Sequence, residues 1–366
     1  MYLNRVQRLK TYCQKLVKRN FIDYENMWLV DQNYKTLFCS LAKVGSTFWN
    51  HVFHILRNGN DSFSSPFSLN PAFYENLKNA LARSSNSTAL LNSIRNDYLK
   101  VMFVREPYRR LFSAYVDKLV QPHGYYWNRT GKHITYHSKK RNKRNMACGH
   151  NVSFEDVVNY VVHAETTLRH RDIHFAPMHH QCNICSVDYQ MIGKMETFRY
   201  DTVFFLNSIK AIDAGIAMDN WTEEHDANYI KQKCIFAFKV KNSTKQCLSF
   251  YELLKRQWRA FQIVGLISKD FHFPFTDGSV NNITLEEYTS VIISVHNRSG
   301  SSAKANQNEA FKQAYTSLSR GALENLRDVL FLDFQLFGYN PEPDELFSQP
   351  VQHQPHKQIF NYFDFL

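Results

Sequence analysis

The sequence contains no run of about 18 or more apolar residues, so it predicts no transmembrane helix. Residues 1–30 form a basic, amphipathic segment that lacks the apolar core of a signal peptide. No internal repeat is evident either. We therefore expect a globular chain whose N-terminal segment carries no recognisable membrane anchor.

Acidic residues are in the minority: 33 Asp and Glu stand against 44 Lys and Arg, which gives a net charge of +11. Such a surplus favours a polyanionic partner, either nucleic acid, an anionic membrane or a sulfated or uronic-acid polysaccharide. Charge alone does not separate these three classes. The length of 366 residues and the hydrophobic fraction of 44% suffice for one large α/β domain or two smaller ones.

A Walker A loop, G-x-x-x-x-G-K-[ST], does not match the stretch at residues 37–57, where Lys43 precedes Gly45, Ser46 and Thr47. Apolar residues before the loop predict a buried strand, and apolar residues at helical spacing after it predict an amphipathic helix. The strand residues are Leu37, Phe38 and Cys39, and the helix residues are Phe48, Trp49, Val52, Phe53 and Leu56. A lysine in a tight loop before a helix N-terminus predicts a phosphate cradle. The alternative is a chance strand–turn–helix with an exposed lysine.

A second stretch, KVMFVREPYRRLFSAYVDKL at residues 100–119, repeats this arrangement. Its apolar run is typical of a central parallel strand, and Pro107 suits the first turn of the next helix. Arg105 would then lie at the carboxyl end of a strand, where open α/β sheets bind their ligands. Arg110 and Ser113 would share one side of the helix. An arginine and a hydroxyl together predict a second phosphate site.

These two stretches resemble the 5′-phosphosulfate loop and the 3′-phosphate loop of Golgi carbohydrate sulfotransferases. The similar branch contains the chondroitin and dermatan 4-O-sulfotransferases and the HNK-1 sulfotransferase. Two further blocks, at residues 174–197 and 332–339, resemble the central block and the C-terminal helix of that family. The four blocks follow the family's order over roughly residues 35 to 340.

The resemblance implies an α/β fold with a P-loop-like central parallel sheet flanked by helices. It implies one sulfotransferase domain at residues 31–341, a C-terminal tail at 342–366, and a segment at 1–30 from which the family's anchor or stem is missing or truncated. It also implies transfer of a sulfuryl group from 3′-phosphoadenosine-5′-phosphosulfate (PAPS) to a sugar hydroxyl in the Golgi lumen, without a metal. The expected acceptor is an anionic or N-acetylgalactosamine-containing glycan, with the 4-hydroxyl as one candidate, and nucleic acid is not an expected partner.

The resemblance further implies roles for individual residues. Lys43 would neutralise the leaving phosphate, and a histidine would accept the proton of the acceptor hydroxyl. Our candidate for this base is His174, with His51 and His123 as alternatives and a structural role as the competing explanation for each. The donor-binding set comprises Lys43, Val44, Gly45, Ser46, Thr47, Phe48, Trp49, Arg105, Arg110 and Ser113.

Cysteines and glycosylation sequons indicate an oxidising, secretory compartment. The seven cysteines permit three disulfides and one free thiol, with the pairing left open. Zinc binding by the histidines and cysteines of residues 174–185 is disfavoured, because only one C-x-x-C is present there. The N-x-[ST] sequons lie at Asn60, Asn86, Asn128, Asn151, Asn220, Asn242, Asn282 and Asn297.

Other segments carry weaker expectations. The basic run at residues 139–144 predicts a solvated loop that could line an acceptor groove. The polar residues 294–308 resemble a variable family loop that closes over the cofactor. Helices are predicted at residues 154–170 and 318–337. Two other functions stay open: a non-catalytic glycan-binding relative, favoured by the unusual Phe48 and Asn50, and a P-loop kinase or basic nucleic-acid-binding protein.

Overall fold

The computed structural model describes residues 1–16, 27–58, 65–67, 77–138, 142–211, 216, 221–348 and 360–365. The chain forms two compact units. The first comprises Met1–Arg110, Ala176–Glu224 and Leu330–Pro341, and the second comprises Leu111–Phe175, His225–Val329 and Glu342–Leu366. The boundaries that we inferred at residues 30 and 341 stay a prediction.

The described elements are mostly helices, with four short strands. In chain order they are α1 (Tyr2–Lys15), β1 (Trp28–Asp31), β2 (Thr36–Cys39), α2 (Ser46–Asn58), α3 (Leu77–Arg83), α4 (Ser87–Asp97), β3 (Leu99–Val104), α5 (Pro107–Tyr115), α6 (Gly124–Tyr126), α7 (Lys132–His137), α8 (Lys143–Cys148), α9 (Phe154–Thr167), β4 (Met191–Lys194), α10 (Phe198–Ser208), α11 (Trp221–Thr244), α12 (Phe250–Ile263), α13 (Asp277–Val280), α14 (Leu285–Thr316), α15 (Arg320–Phe337) and α16 (Asp344–Phe347). Two π-helical turns, Val116–Val120 and Trp127–Gly131, and two 3-10 turns, Met178–His180 and Met195–Thr197, complete the order.

The first unit is built on a four-stranded sheet in the order β1-β2-β3-β4. Strand β1 is antiparallel to β2, whereas β2, β3 and β4 run parallel, with Cys39 opposite Met102 and Val104 opposite Lys194. The carboxyl ends of the three parallel strands therefore meet at one edge. The predicted α/β fold with a central, mostly parallel sheet flanked by helices is confirmed.

Aromatic packing fixes α2 against the sheet. The ring of Trp49 is fully buried, and its centroid lies 4.6 Å from that of Phe38 and 4.7 Å from that of Phe103. A Cβ atom at Gly193 would lie 2.4 Å from the Phe103 ring, so β4 needs glycine there to approach β3. Close packing of this kind determines where the loop between β2 and α2 lies.

Two disulfides and an ion pair tie the first unit together. Cys13 of α1 is bonded to Cys185, and Cys39 at the end of β2 is bonded to Cys182. Arg5 of α1 donates to the fully buried Asp201 at 2.6 Å. None of the helices in the described part of the chain is long and apolar enough to cross a membrane.

The second unit is helical. Helices α9, α12 and α14 each begin with a capping box, in which the N-cap hydroxyl and an acidic side chain satisfy the first backbone donors. The buried Arg256 donates to the carbonyl oxygens of Leu119, Val120 and His150. The third disulfide joins Cys148 to Cys247, which leaves Cys234 as the free, buried thiol. The predicted count of three disulfides and one thiol is therefore observed.

One segment differs clearly from its prediction. Residues 294–308 were expected to form a loop, but they lie inside α14, whose buried residues include Val295, Ala303 and Asn306. Burial of this stripe outweighs the low helix propensity of the serines and asparagines in this segment. Only Gly300, with φ 51° and ψ −143°, departs from helical geometry.

The basic run is only partly described. Lys139, Lys140 and Arg141 lie outside the described residues, and Lys143 begins α8, which Asn142 caps by accepting from the Asn145 N–H at 2.8 Å. The part that the structure describes is therefore the start of a short helix rather than a loop.

Candidate active site

The loop between β2 and α2 has two residues in the left-handed backbone region. Lys43 has φ 67° and Gly45 has φ 70°. A Cβ atom at Gly45 would also lie 3.1 Å from the Phe198 ring, so glycine is favoured by both conformation and space. Helix α2 begins directly afterwards, at Ser46, and has no acidic residue in its first turn. The backbone N–H groups of Ser46, Thr47 and Phe48 thus form an N-terminus suited to an anion.

Arg105 joins this loop to the end of β3. Its Nη1 donates to the carbonyl oxygen of Lys43 at 3.4 Å. Burial lowers the pKa of Arg105, and the nearby carboxylates of Glu196 and Glu106 oppose that shift. An arginine keeps its charge throughout the physiological range. The two predicted phosphate loops are therefore neighbours, and each contributes a cation.

Several members of the predicted donor-binding set have side chains that face the protein interior. Arg110 is buried, and its guanidinium donates to Ala42 O at 2.9 Å and to Ala176 O at 2.7 Å. Val44, Phe48 and Trp49 are also buried. Arg110 thus supports the loop through backbone contacts. Donor binding by any of these four residues stays a prediction. The contacts to the donor would have to come from their backbone groups.

The end of the third parallel strand contributes residues that were not in the predicted set. Glu196 accepts from the Glu106 N–H at 2.9 Å and from the Tyr339 hydroxyl at 2.8 Å. Lys194 Nζ lies 3.9 Å from the Tyr339 ring centroid, and burial lowers the pKa of Lys194 although Glu196 opposes this. The sequence signal was their place after an apolar strand, where the carboxyl edge of the sheet gathers functional groups.

Glu106 caps helix α5. Its carboxylate accepts from the backbone N–H groups of Tyr108 at 3.1 Å and Arg109 at 2.7 Å. Burial nevertheless raises the pKa of Glu106 to about 7. The charge beside Arg105 therefore changes near neutral pH.

Ser113 and His174 belong to the second unit. Ser113 is half-buried on α5, which begins in the first unit. His174 Nδ1 lies 2.9 Å from Asp172 Oδ1 and 2.8 Å from the Tyr126 hydroxyl. Burial alone raises the pKa of Asp172, but the hydrogen bond and the charge of His174 outweigh it, so the net pKa is lowered. A proton on Nδ1 would be donated to the ionised Asp172 and would leave Nε2 as the basic nitrogen of His174.

Comparison with known proteins agrees with this geometry. The profile of the Sulfotransferase family matches residues 26–249. The chain belongs to this family. The resemblance that we inferred from the Lys43 and Arg105 loops is thereby confirmed.

Curated relatives of the chain are named carbohydrate sulfotransferases. Carbohydrate sulfotransferase 8 of Homo sapiens is 30% identical over 183 residues, which cover 50% of this chain and 42% of that protein. Carbohydrate sulfotransferase 9 of Homo sapiens is 29% identical over 205 residues, covering 54% and 44%. Carbohydrate sulfotransferase 10 of Rattus norvegicus is 28% identical over 247 residues, covering 61% and 67%. The match therefore spans less than half of the first two relatives. No solved structure matches the chain.

The two alternative bases, His51 and His123, both have a pKa that burial lowers. His51 is buried, its Nδ1 lies 2.6 Å from Pro66 O, and burial lowers its pKa. Burial also lowers the pKa of His123, to about 4. In the part of the chain that the structure describes, neither imidazole contacts a carboxylate as His174 contacts Asp172. His174 thus remains our candidate.

The described residues contain one group of possible metal ligands. Among the described residues, Cys148, His150 and Cys247 place their ligand atoms within 4.8 Å of one another. The two cysteines are bonded to each other, whereas zinc requires thiolates. Cys182 and Cys185 are likewise engaged in disulfides. The cysteines in their oxidised form therefore do not fit a zinc centre.

Proposed function

We propose that the chain is a carbohydrate O-sulfotransferase that moves a sulfuryl group from PAPS to a sugar hydroxyl. The observation that carries this proposal is the hydrogen bond from Arg105 Nη1 to Lys43 O, which brings the two phosphate loops together. A donor with a phosphate at each end of one nucleoside needs two such loops side by side. The family match supports the same reaction class.

The donor supplies an activated sulfuryl group on its 5′-phosphate. Lys43, Gly45 and the N–H groups at the start of α2 would hold that phosphate, and Arg105 would hold the 3′-phosphate with the Ser113 hydroxyl as a further donor. When the bond between sulfur and the phosphate oxygen breaks, negative charge grows on that oxygen. The ammonium group of Lys43 would stabilise it.

The acceptor hydroxyl must lose its proton as its oxygen bonds to sulfur. We propose that Nε2 of His174 takes that proton and that Asp172 stabilises the resulting imidazolium. The products are a sugar sulfate ester, adenosine 3′,5′-bisphosphate and the protonated histidine, so atoms and charge balance. The chain's residues position the partners and stabilise charge, as is general for in-line group transfer.

We further propose a luminal, Golgi-type enzyme acting on a glycosaminoglycan or glycoprotein glycan. Three disulfides support an oxidising compartment. Sequon asparagines that are exposed in the structure support glycosylation, and they are Asn86, Asn128, Asn242, Asn282 and Asn297. The net charge of +11 favours an anionic acceptor.

Two measurements test the proposed function. Adenosine 3′,5′-bisphosphate should raise the melting temperature of the purified chain, and radiolabelled sulfate from PAPS should be transferred to desulfated chondroitin, desulfated dermatan or a glycan ending in N-acetylgalactosamine. Position analysis of the product would test the 4-hydroxyl. A thermal shift without transfer to any acceptor would identify a non-catalytic relative, and the lack of both would overturn the proposal.

A further inference from the structure

A cavity of about 420 Å³ lies within the second unit, among α14, Trp258 of α12 and the segment from Phe271 to Pro274. Its volume falls in the range of about 300–1,000 Å³ that is usual for small-molecule sites. It contains none of the residues that we assign to sulfuryl transfer. It therefore needs an explanation of its own.

The inner wall of the cavity is apolar and rigid. Trp258 is buried, and its Nε1 donates to Phe271 O at 3.1 Å. Gln262 Nε2 donates to the same oxygen at 2.9 Å, so two hydrogen bonds hold the segment that carries the Phe271 ring. Val291 and Val295 of α14 complete this wall. A fixed aromatic and aliphatic wall suits the C–H face of a pyranose ring.

The rim of the cavity is polar and cationic. Ser290, Ser294 and Arg298 follow one another at four-residue spacing and so line one side of α14, all of them exposed. The guanidinium carbon of Arg298 lies 4.9 Å from the Phe271 ring centroid, and no carboxylate in the described part of the chain forms a salt bridge with it. His272 adds an exposed imidazole to the rim.

The acidic residue beside this segment is already engaged. Asp270 accepts a hydrogen bond from Ser268 Oγ at 2.9 Å and does not line the cavity. The charge of Arg298 at the rim is therefore available to a ligand. A guanidinium recognises a planar carboxylate or a sulfate oxygen through paired N–H donors.

We propose that this cavity is a subsite for an anionic sugar unit of a glycan, either a uronic acid or a sulfated sugar. The apolar wall takes the face of the ring, the two serines bond its hydroxyls, and Arg298 pairs with its carboxylate or sulfate. This goes beyond the proposed transfer reaction, because binding here requires neither the donor nor Lys43.

Direct binding of a size-defined chondroitin 4-sulfate hexasaccharide to the full chain tests the subsite. Calorimetry should show that Arg298→Ala weakens the affinity about 10-fold or more, because it removes a charge-assisted pair. Lys304→Ala, which removes an exposed positive charge from the same helix, should change the affinity less than about 2-fold. Ser294→Trp, at an exposed position on the rim, should block binding by filling the cavity.

A carboxyl-reduced, desulfated hexasaccharide provides the ligand control and should bind at least about 10-fold more weakly than the anionic one. Equal binding of both oligosaccharides, or equal losses in Arg298→Ala and Lys304→Ala, would overturn the proposal. Binding that is detected only for Asn297→Gln would also overturn the proposal, because the cavity would then be occupied by a glycan attached to the exposed Asn297. The thermal shift with adenosine 3′,5′-bisphosphate, measured on the same samples, reports separately on the proposed sulfotransferase function.

Discussion

Lys43 holds a backbone conformation that a lysine rarely adopts. With φ 67° it carries a cost of about 1–2 kcal/mol relative to an ordinary helical or extended conformation. Residues under such strain cluster at functional sites, where the surrounding structure holds them in place. Here the hydrogen bond from Arg105 to its carbonyl oxygen and the packing of Gly45 against Phe198 supply that constraint.

We expect Lys43→Ala to lower the rate of sulfate transfer about 100-fold or more, as removal of one stabilising donor typically does. Alanine keeps the positive φ at similar cost, so the change isolates the ammonium group. The measurement is kcat with saturating donor. Lys35→Ala is the matched control, because Lys35 is an exposed lysine that also has a positive φ, of 44°. Equal activity of the two variants would remove Lys43 from the mechanism.

The contact between His174 and Asp172 leads to a second prediction at this scale. His174→Ala should lower kcat about 100- to 10,000-fold while leaving the affinity for adenosine 3′,5′-bisphosphate unchanged, because a general base acts in the chemical step. Asp172→Asn should lower kcat less, since Asp172 acts only through the histidine. His163→Ala, an exposed histidine on α9, serves as the control. Near-normal turnover of His174→Ala would leave His174 with a structural role.

The first turn of helix α5 contacts both predicted phosphate loops. Glu106 caps the helix, Glu196 accepts the Glu106 N–H, and Arg110 donates to Ala42 O. The sequence predicted the preceding strand, the position of Pro107 in the first helical turn and the apolar face of this helix, because these depend on local spacing. It did not predict that the Arg110 guanidinium would contact backbone carbonyls or that Lys194 would lie over Tyr339, since those contacts join residues that are distant in the chain.

The raised pKa of Glu106 predicts a dependence of stability on pH. Its pKa is about 7 in the folded chain and 4.5 in the reference state, so the folded protein binds the proton more tightly. The stabilisation from this group is fully present below about 4.5 and is lost as the pH rises through about 7. In urea titrations between pH 5 and 8, the free energy of unfolding of Glu106→Gln should therefore increase relative to that of the wild type as the pH rises.

The size of that change is bounded at about 3 kcal/mol, and solvent around the half-buried side chain will reduce it. Glutamine retains one of the two acceptor oxygens of the helix cap, and loss of the other does not depend on pH, so the trend with pH isolates the carboxyl group. Glu155→Gln, in the first turn of α9, is the control and should show no such trend. A pH-independent difference between wild type and Glu106→Gln would contradict the buried-carboxyl explanation.

At the scale of the whole molecule, the two central parallel strands follow from patterns visible in the sequence, whereas β1, the order of the sheet and the crosslinks do not. The apolar runs that became β2 and β3 are short enough to be recognised as buried strands. The disulfides instead join residues 172, 143 and 99 positions apart, so their pairing depends on the complete path of the chain. The helical course of residues 294–308 likewise depends on burial against partners that no local pattern identifies.

The disulfide between Cys148 and Cys247 gives a prediction for the stability of the second unit. It closes a loop of about 100 residues, and restricting the unfolded chain in this way is worth about 2–5 kcal/mol. The double variant Cys148→Ser/Cys247→Ser should therefore unfold at clearly lower urea concentration. Reduction of the wild type breaks all three disulfides and should lower the urea midpoint further, whereas reduction of the double variant should lower it only by what the other two disulfides contribute.

Cys234→Ala is the control, because it alters the buried free thiol without breaking a crosslink and should cost only about 1 kcal/mol. Peptide mapping without reductant should recover the Cys148–Cys247 pair, and Cys234 should react with a maleimide only after unfolding, since burial raises the pKa of its thiol to about 12. Equal urea midpoints for wild type and double variant would show that the crosslink does not constrain the unfolded chain. A different pairing in the peptide map would contradict the oxidised arrangement on which the luminal proposal depends.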